Sequence, residues 1–163
     1  MTLATAAMNQ PTAPVFDKGL ANTVAAETEM SFIDGEKGIL EYVGIEIDAL
    51  ARNSTFEEVV YLLWNRRLPT KSELAEFIKT IQAEYDLPDQ MWAIIKTLPT
   101  NAAPMHALRT LVSALALFDA EADDDSLEAN QRKSVRLLAN TPALIANFDH
   151  HRKGKPSQNP DKS

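Results

Sequence analysis

Three histidines are the first candidates for acid–base chemistry, because imidazole is the side chain that changes its charge near neutral pH. His106 has no serine, cysteine or aspartate three or four residues away that could orient it. His150 and His151 are adjacent, so a helix would point them about 100° apart and they could not aim at one ligand. The pattern favours structural roles for all three and disfavours a metal site.

The other charged and aromatic groups also favour structural roles. Asp123 to Asp125 lack the alternating spacing and the final glutamate of a calcium loop, so we predict a solvated turn. Trp64 and Trp92 fall in or beside apolar helical stripes, which predicts core packing. Arg109 lies in an otherwise apolar helix, and we expect a carboxylate of this chain or of a partner to pair with it. The residues therefore predict no catalytic, cofactor-binding or metal-binding site.

The composition is that of one globular domain, with 163 residues of which 45% are hydrophobic and 24% charged. The absence of cysteine excludes thiolate catalysis, cysteine zinc sites and disulfides. A net charge of -7 repels phosphate backbones and anionic lipids, so we expect no nucleic acid and no membrane as partner. The first 28 residues lack a signal or transit pattern, and no apolar run reaches the ~18 residues of a membrane helix. We predict a cytoplasmic protein.

The elements that would position these residues begin with a hairpin. Two short apolar runs flank the turn sequence Gly35-Glu36-Lys37-Gly38, which predicts two antiparallel strands. Ser54 with Glu57, and Thr70 with Glu73, match capping boxes that would open two helices. The predicted buried stripes of these helices are Phe56, Val59, Val60, Leu63 and Trp64, followed by Leu74, Phe77, Ile78, Ile81 and Tyr85.

Prolines mark the later helices. Pro88 and Pro104 each open one, and a last helical region extends from about Ser126 to Arg152, where Pro142 must kink it or start a new helix. The residues predicted to face the core are Met91, Ile94, Ile95, Leu98, Met105, Leu108, Leu111, Val112, Leu115, Phe118, Val135, Leu138, Leu144, Ile145 and Phe148. The predicted fold class is mainly α, with a short N-terminal β-hairpin.

The chain divides by composition into three parts. Residues 1–28 are predicted to be a flexible N-terminal tail, and residues 29–153 the helical part. Residues 154–163 contain no apolar side chain larger than proline, so we expect a linker that cannot hold itself on a core.

Three segments in order carry a family pattern. Residues 31–47 are S-F-I-D-G-E-K-G-I-L-E-Y-V-G-I-E-I, residues 54–70 are S-T-F-E-E-V-V-Y-L-L-W-N-R-R-L-P-T, and residues 104–115 are P-M-H-A-L-R-T-L-V-S-A-L. Together they resemble the N-terminal part of the citrate synthase family. Val43 stands where the family usually has arginine, Arg66 where it has glycine, and Ala103 where it has histidine.

The resemblance implies a helical citrate synthase-like large-domain fragment from a homo-oligomer, either a dimer or a hexamer. It implies an acyltransferase of the tricarboxylic acid cycle that condenses acetyl-CoA, a co-substrate, with oxaloacetate to give citrate and free CoA. In that chemistry a carboxylate removes a proton from the acetyl methyl group, while two histidines stabilise the enolate and polarise the keto group. The family carries these groups in later segments that do not occur here. No site residue is transferred, no covalently bound cofactor is expected, and the chain alone is predicted to be inactive.

Two alternatives stay open. The first is a fragment of a 2-methylcitrate synthase that uses propionyl-CoA, because the residues that select the acyl chain are not present. The second is a non-catalytic subunit or binding module that docks on a partner chain, for which uncovered apolar surface would serve.

Overall fold

The computed structural model describes Val24 and residues 27–160, and its contacts divide the chain into two units, Met1–Ile47 and Asp48–Ser163. The predicted tail over residues 1–28 falls outside the described residues except for Val24, Glu27 and Thr28. Within the described part, no helix combines the length and the apolarity that crossing a membrane requires.

The first unit contains a three-stranded antiparallel sheet in the order β1-β2-β3. Its strands are β1 (Ser31–Asp34), β2 (Ile39–Tyr42) and β3 (Ile45–Glu46). The predicted hairpin of β1 and β2 is confirmed, and in its turn the Asp34 carboxylate accepts a hydrogen bond of 3.0 Å from the backbone N–H of Lys37. The third strand was not predicted, because two residues are too few to show an alternating pattern.

A two-residue turn joins β2 to β3. Tyr42 pairs with Ile45, and the residues between them, Val43 and Gly44, have φ values of 52° and 75°. Positive φ at both positions is what a type I′ hairpin turn requires. A β-branched side chain is disfavoured in this conformation, so Val43 is a strained residue. Its N–H donates a hydrogen bond of 3.0 Å to the carbonyl of Met30.

Helices make up the rest of the described chain, and the predicted mainly α class is confirmed. They are α1 (Ile47–Asn53), α2 (Phe56–Asn65), α3 (Lys71–Ala83), α4 (Asp89–Thr97), α5 (Pro104–Leu115) and α6 (Leu127–Arg152), with a 3-10 turn at Ala116–Phe118. Helix α5 packs on α4 and α6, while α3 packs on α2 and α6. Helix α6 packs on α3, α4 and α5 and is therefore the element that these three helices share.

The helix starts were predicted with one error of register. Thr70 and Glu73 form the predicted capping box of α3. Helix α2 is capped one residue later than predicted, by Thr55, whose hydroxyl accepts from the Glu58 N–H at 3.3 Å while the Glu58 carboxylate accepts from the Thr55 N–H at 2.7 Å. The N–H of Ser54 donates to the carbonyl of Leu50 at 2.9 Å and completes the end of α1, so it is not available to the Glu57 carboxylate for the predicted capping box.

The main core lies where α4, α5 and α6 meet. Its buried members are Leu87, Met91, Ile95, Ala107, Leu111, Ala143, Leu144 and Phe148. Several residues predicted to be buried are exposed instead: Phe56, Trp64, Met105, Phe118 and Ile145. In α2 the fully buried side chain is Leu62, at 1% exposure, which the predicted stripe did not include. Met105 and Ile145 lie on a side of α5 and α6 that no described element covers.

Pro142 does not start a new helix. Helix α6 runs without a break through Pro142, so that part of the prediction is wrong. Proline removes the single hydrogen bond that its N–H would make. The neighbouring Ala143 and Leu144 are buried in the core, which holds the helix in place on both sides of that gap.

The segment after α6 lies along the helix. Lys155 N–H donates to the carbonyl of His150 at 2.8 Å, and the backbone of Gln158 is hydrogen-bonded to the side chain of Asn147. Composition did not indicate these contacts, because it reveals apolar burial but not hydrogen bonds between side chains and backbone. The boundaries of the three predicted parts stay a prediction.

Candidate functional site

The three histidines do not meet. His106 is exposed on α5 and its ring has no hydrogen-bond partner among the described residues. His150 Nδ1 lies 2.8 Å from the carbonyl oxygen of Pro156, and His151 Nε2 lies 2.8 Å from that of Leu98. A carbonyl oxygen only accepts, so each of these ring nitrogens carries a hydrogen. Two of the histidines thus bind backbone, which leaves no imidazole pair aimed at a common point.

The acidic run forms the loop in front of α6. Asp124 accepts a hydrogen bond of 2.9 Å from the N–H of Ser126, which lowers the pKa of the Asp124 carboxyl. Ser126 in turn caps α6 by accepting from the Ala129 N–H at 3.3 Å. The described residues contain no group of three or more histidine, aspartate or glutamate side chains that could hold a metal ion.

Arg109 and Trp64 differ from their predictions. Arg109 is exposed, and among the described residues no carboxylate pairs with it, so the expected partner from this chain is absent there. Trp64 is 44% exposed and contacts Phe77 edge to face, with ring centroids 5.7 Å apart. Trp92 is partly buried against the main core, as predicted. The arginine was expected to be partly buried because α5 is apolar, but its face of the helix is uncovered.

A pocket of about 600 Å³ lies between the end of α3, the helix α5 and the helix α6. Its volume is in the range of small-molecule sites. Its apolar lining comes from Val112, Leu115, Phe118 and Leu137, and its charged lining from Glu84, Asp86, Asp119, Glu121, Lys133 and Arg136. Six charged side chains of the second unit line this pocket. Their ionisation states decide whether the pocket can take part in acid–base chemistry.

Arginines pair with two of the carboxylates of this pocket, Asp119 and Glu121. The Arg136 guanidinium donates to both carboxylate oxygens of Asp119, from Nε at 3.0 Å and from Nη2 at 2.9 Å. Its Nη2 also donates to Glu121 at 2.9 Å, and Arg132 binds the same glutamate through both carboxylate oxygens. Such two-pronged pairs are the strong form of the ionic hydrogen bond. They join the loop before α6 to the helix itself.

The ion pairs with arginine keep Glu121 of this pocket negatively charged. Hydrogen bonds from Arg132 and then from Arg136 lower the pKa of Glu121 to about 2. A carboxylate with so low a pKa stays ionised at neutral pH and is a poor general base. Asn140 also lines the pocket; it is 6% exposed, and its Oδ1 is buried without a hydrogen-bond partner. The arrangement holds the loop on α6, and it keeps Asp119 and Glu121 engaged by arginine.

This network escaped prediction from sequence. Its members are 11 to 17 residues apart, across a loop whose course the sequence does not show. One feature of the sequence could have indicated the network. Arg132 and Arg136 are four residues apart, so they share one face of a helix that follows an acidic loop.

Comparison with known proteins decides the family. The family model described as citrate synthase, C-terminal domain, matches residues 19–163. The citrate synthase of Haloferax volcanii is 40% identical over 150 residues, which cover 90% of this chain and 40% of that protein. This chain belongs to the citrate synthase family. Citrate synthase 2 of Bacillus subtilis is 44% identical over 138 residues, with 84% of this chain and 37% of that protein covered.

Solved citrate synthases share the fold. The enzyme of Pyrobaculum aerophilum superposes with a TM-score of 0.81 at 32% identity, covering 95% of this chain and 40% of that one. The enzyme of Thermoplasma acidophilum, solved as a ternary complex with carboxymethyl coenzyme A and oxaloacetate, gives a TM-score of 0.84 at 27% identity, with 93% of this chain and 40% of that one covered. This chain thus spans about two fifths of the length of the relatives that it matches. Its position in their N-terminal part stays a prediction.

Proposed function

We propose that this chain is a structural part of an enzyme that condenses acetyl-CoA with oxaloacetate to give citrate and free CoA. The match of residues 19–163 to the citrate synthase family carries the proposal. The structural neighbour from Thermoplasma acidophilum supports it, because that enzyme was solved with carboxymethyl coenzyme A and oxaloacetate bound. The cytoplasmic location expected from the sequence stays a prediction.

We further propose that the chain alone does not turn over these substrates. The condensation needs a base for the acetyl methyl group and hydrogen-bond donors for two developing oxygen charges. His106 is isolated, while one ring nitrogen of His150 and one of His151 are bound to backbone carbonyls. Glu121 is held by two arginines. The separation of these four groups supports the proposal, since the reaction needs several groups aimed at one point.

Release of CoA thiol is the direct test. The purified chain is mixed with acetyl-CoA and oxaloacetate, and free thiol is titrated with a chromogenic disulfide. The chain contains no cysteine, so it contributes no thiol background. We expect no release above the rate without protein. Turnover that persists after repurification would overturn the proposal that the catalytic groups lie elsewhere.

The reading frame tests the assignment to an enzyme. A frame that continues beyond codon 163 into a His-Gly loop and a Gly-His segment followed by arginine supports the proposed scaffold role. If such a longer protein releases CoA faster from propionyl-CoA than from acetyl-CoA, 2-methylcitrate synthase replaces citrate synthase as its activity. No release from either thioester by that protein would overturn the proposed reaction.

A non-catalytic subunit or binding module is the second candidate. Exposed apolar side chains favour it: Met105 is 70% exposed, Ile145 51% and Leu117 77%. The same surface suits the homo-oligomer that the family resemblance implies, since monomers seldom leave large apolar patches uncovered. Light scattering on the purified chain tests both forms of association. A stable monomer at micromolar concentration would contradict self-association, and a stop codon directly after Ser163 would favour the binding module.

A further inference from the structure

The C-terminal end of α6 reverses the direction of the chain. Gly154 has a φ of 62°, its N–H donates to the carbonyl of His151 at 3.1 Å, and the Lys155 N–H donates to that of His150 at 2.8 Å. This pair of hydrogen bonds around a left-handed glycine is the Schellman motif. It turns residues 155–160, named here the strap, back along the helix.

The strap is bound by side chains of α6. Asn147 is 1% exposed; its Nδ2 donates to the carbonyl of Gln158 at 2.9 Å, and its Oδ1 accepts from the Gln158 N–H at 2.8 Å. A paired β-strand satisfies the backbone N–H and C=O of one residue in the same way as the Asn147 side chain does for Gln158. One turn further along α6, His150 Nδ1 lies 2.8 Å from the carbonyl oxygen of Pro156.

The strap runs antiparallel to α6. Its first contact is with His150 and its second with Asn147, which lies nearer the start of the helix. Pro160 then lines a groove of about 230 Å³. The other residues that line this groove include Phe56, Ile81, Tyr85 and Pro142. The strap thus places Pro160 at the side of a groove between α2, α3 and α6.

We propose that Asn147 is the positioning residue that latches the strap and thereby keeps this groove closed on one side. The strap has no apolar side chain larger than proline, so apolar burial contributes little to its attachment. The amide of Asn147 can donate and accept at once, which is what one residue's backbone groups require. The proposal concerns a conformational latch in the fold and is independent of the proposed function.

Two variants test the latch from opposite sides. Asn147→Asp keeps the acceptor for the Gln158 N–H but loses the donor and sets a negative charge against a carbonyl. Gln158→Pro removes the N–H on the strap and leaves α6 unchanged. The amides of Asn147 and Asn65 each donate to a carbonyl four residues earlier, at 2.9 Å to Ala143 and at 3.0 Å to Tyr61. Asn65→Asp is therefore the control, because Asn65 makes this bond but binds no strap.

Two readouts follow the strap in the full 163-residue chain. The first is cleavage within residues 155–160 by a broad-specificity protease under native conditions. The second is the distance distribution between spin labels at Glu76→Cys and Asn159→Cys, in a chain that has no other cysteine. We expect both latch variants to be cleaved about 10-fold faster and to give a broadened distribution. The control should match the parent chain in both.

The urea midpoint separates the latch from general destabilisation. We expect Gln158→Pro to release the strap at an unchanged midpoint, because the main core lies elsewhere. Unchanged cleavage and an unchanged label distribution in Gln158→Pro would overturn the proposal. So would strap release that appears only together with a lowered midpoint in both variants, because Asn147 would then support the core and not the strap.

Discussion

Leu144→Ala tests whether the junction of α4, α5 and α6 is the core of the helical unit. Leu144 is 0% exposed and belongs to the cluster with Met91, Leu111 and Phe148. The substitution removes about three methylene equivalents, or ~2.4 kcal/mol of transfer free energy. The cavity left behind adds a further cost where helices cannot collapse, and Leu→Ala changes at such sites cost about 3–5 kcal/mol in all. We expect a loss of about 3–4 kcal/mol in the free energy of unfolding.

Leu137→Ala is the matched control for this prediction. Leu137 lies on the same helix but is 43% exposed, so the same change removes less buried surface and leaves no closed cavity. We expect it to cost less than about 1 kcal/mol. Because both changes exchange leucine for alanine within α6, their helix propensity terms cancel in the comparison.

Urea unfolding followed by circular dichroism at 222 nm measures both variants. With a slope of about 2 kcal/mol per molar urea, Leu144→Ala should lower the midpoint by about 1.5–2 M and leave the slope unchanged. Equal losses for the two variants, or a loss below about 1 kcal/mol for Leu144→Ala, would show that the described packing at Leu144 is wrong. A changed slope would show instead that the variant altered the unfolded state or the cooperativity.

Two further predictions concern the turn and the ion pairs. Val43→Asn should stabilise the sheet by about 1 kcal/mol, because asparagine tolerates a φ of 52° better than valine does; slower hydrogen exchange of the Ile45 amide checks this, and faster exchange would contradict it. Glu121 has a pKa of about 2, below its ordinary 4.5, so its pairing stabilises the fold fully above pH 4.5 and is lost as the pH falls toward 2. Glu121→Gln should therefore melt below the parent chain at pH 7 and together with it near pH 2; a gap that widens in acid would refute the assigned pairing.

Short-range patterns predicted most of the elements. The Thr70 and Glu73 capping box, the proline at the start of α5 and the glycine-bounded turn after Asp34 each act within four residues, and the structure has all three. The start of α2 could not be chosen in this way. Ser54 and Thr55 each have a glutamate three residues later, and the end of α1 decides between them by using the N–H of Ser54.

Longer-range features could not be predicted from local patterns. Asp119 and Arg136 are 17 residues apart, and their contact depends on the course of the loop between α5 and α6. Hydrophobic periodicity also could not predict the exposure of Met105 and Ile145. It identifies an apolar face of a helix but does not say whether a described element covers that face. The strap was missed for a different reason, because it is held by an asparagine and a histidine and not by apolar side chains.

Two departures from the family pattern fall at residues with an unfavourable backbone conformation. Val43 replaces an arginine and Arg66 replaces a glycine of the motifs, and these two are the non-glycine residues with positive φ in the described chain, at 52° and 58°. At Arg66 the left-handed conformation ends α2, a position where glycine has no steric penalty. Both side chains are thus held in a backbone conformation that disfavours them. The surrounding packing therefore holds the turn and the helix end more strongly than the side chains at these positions oppose them.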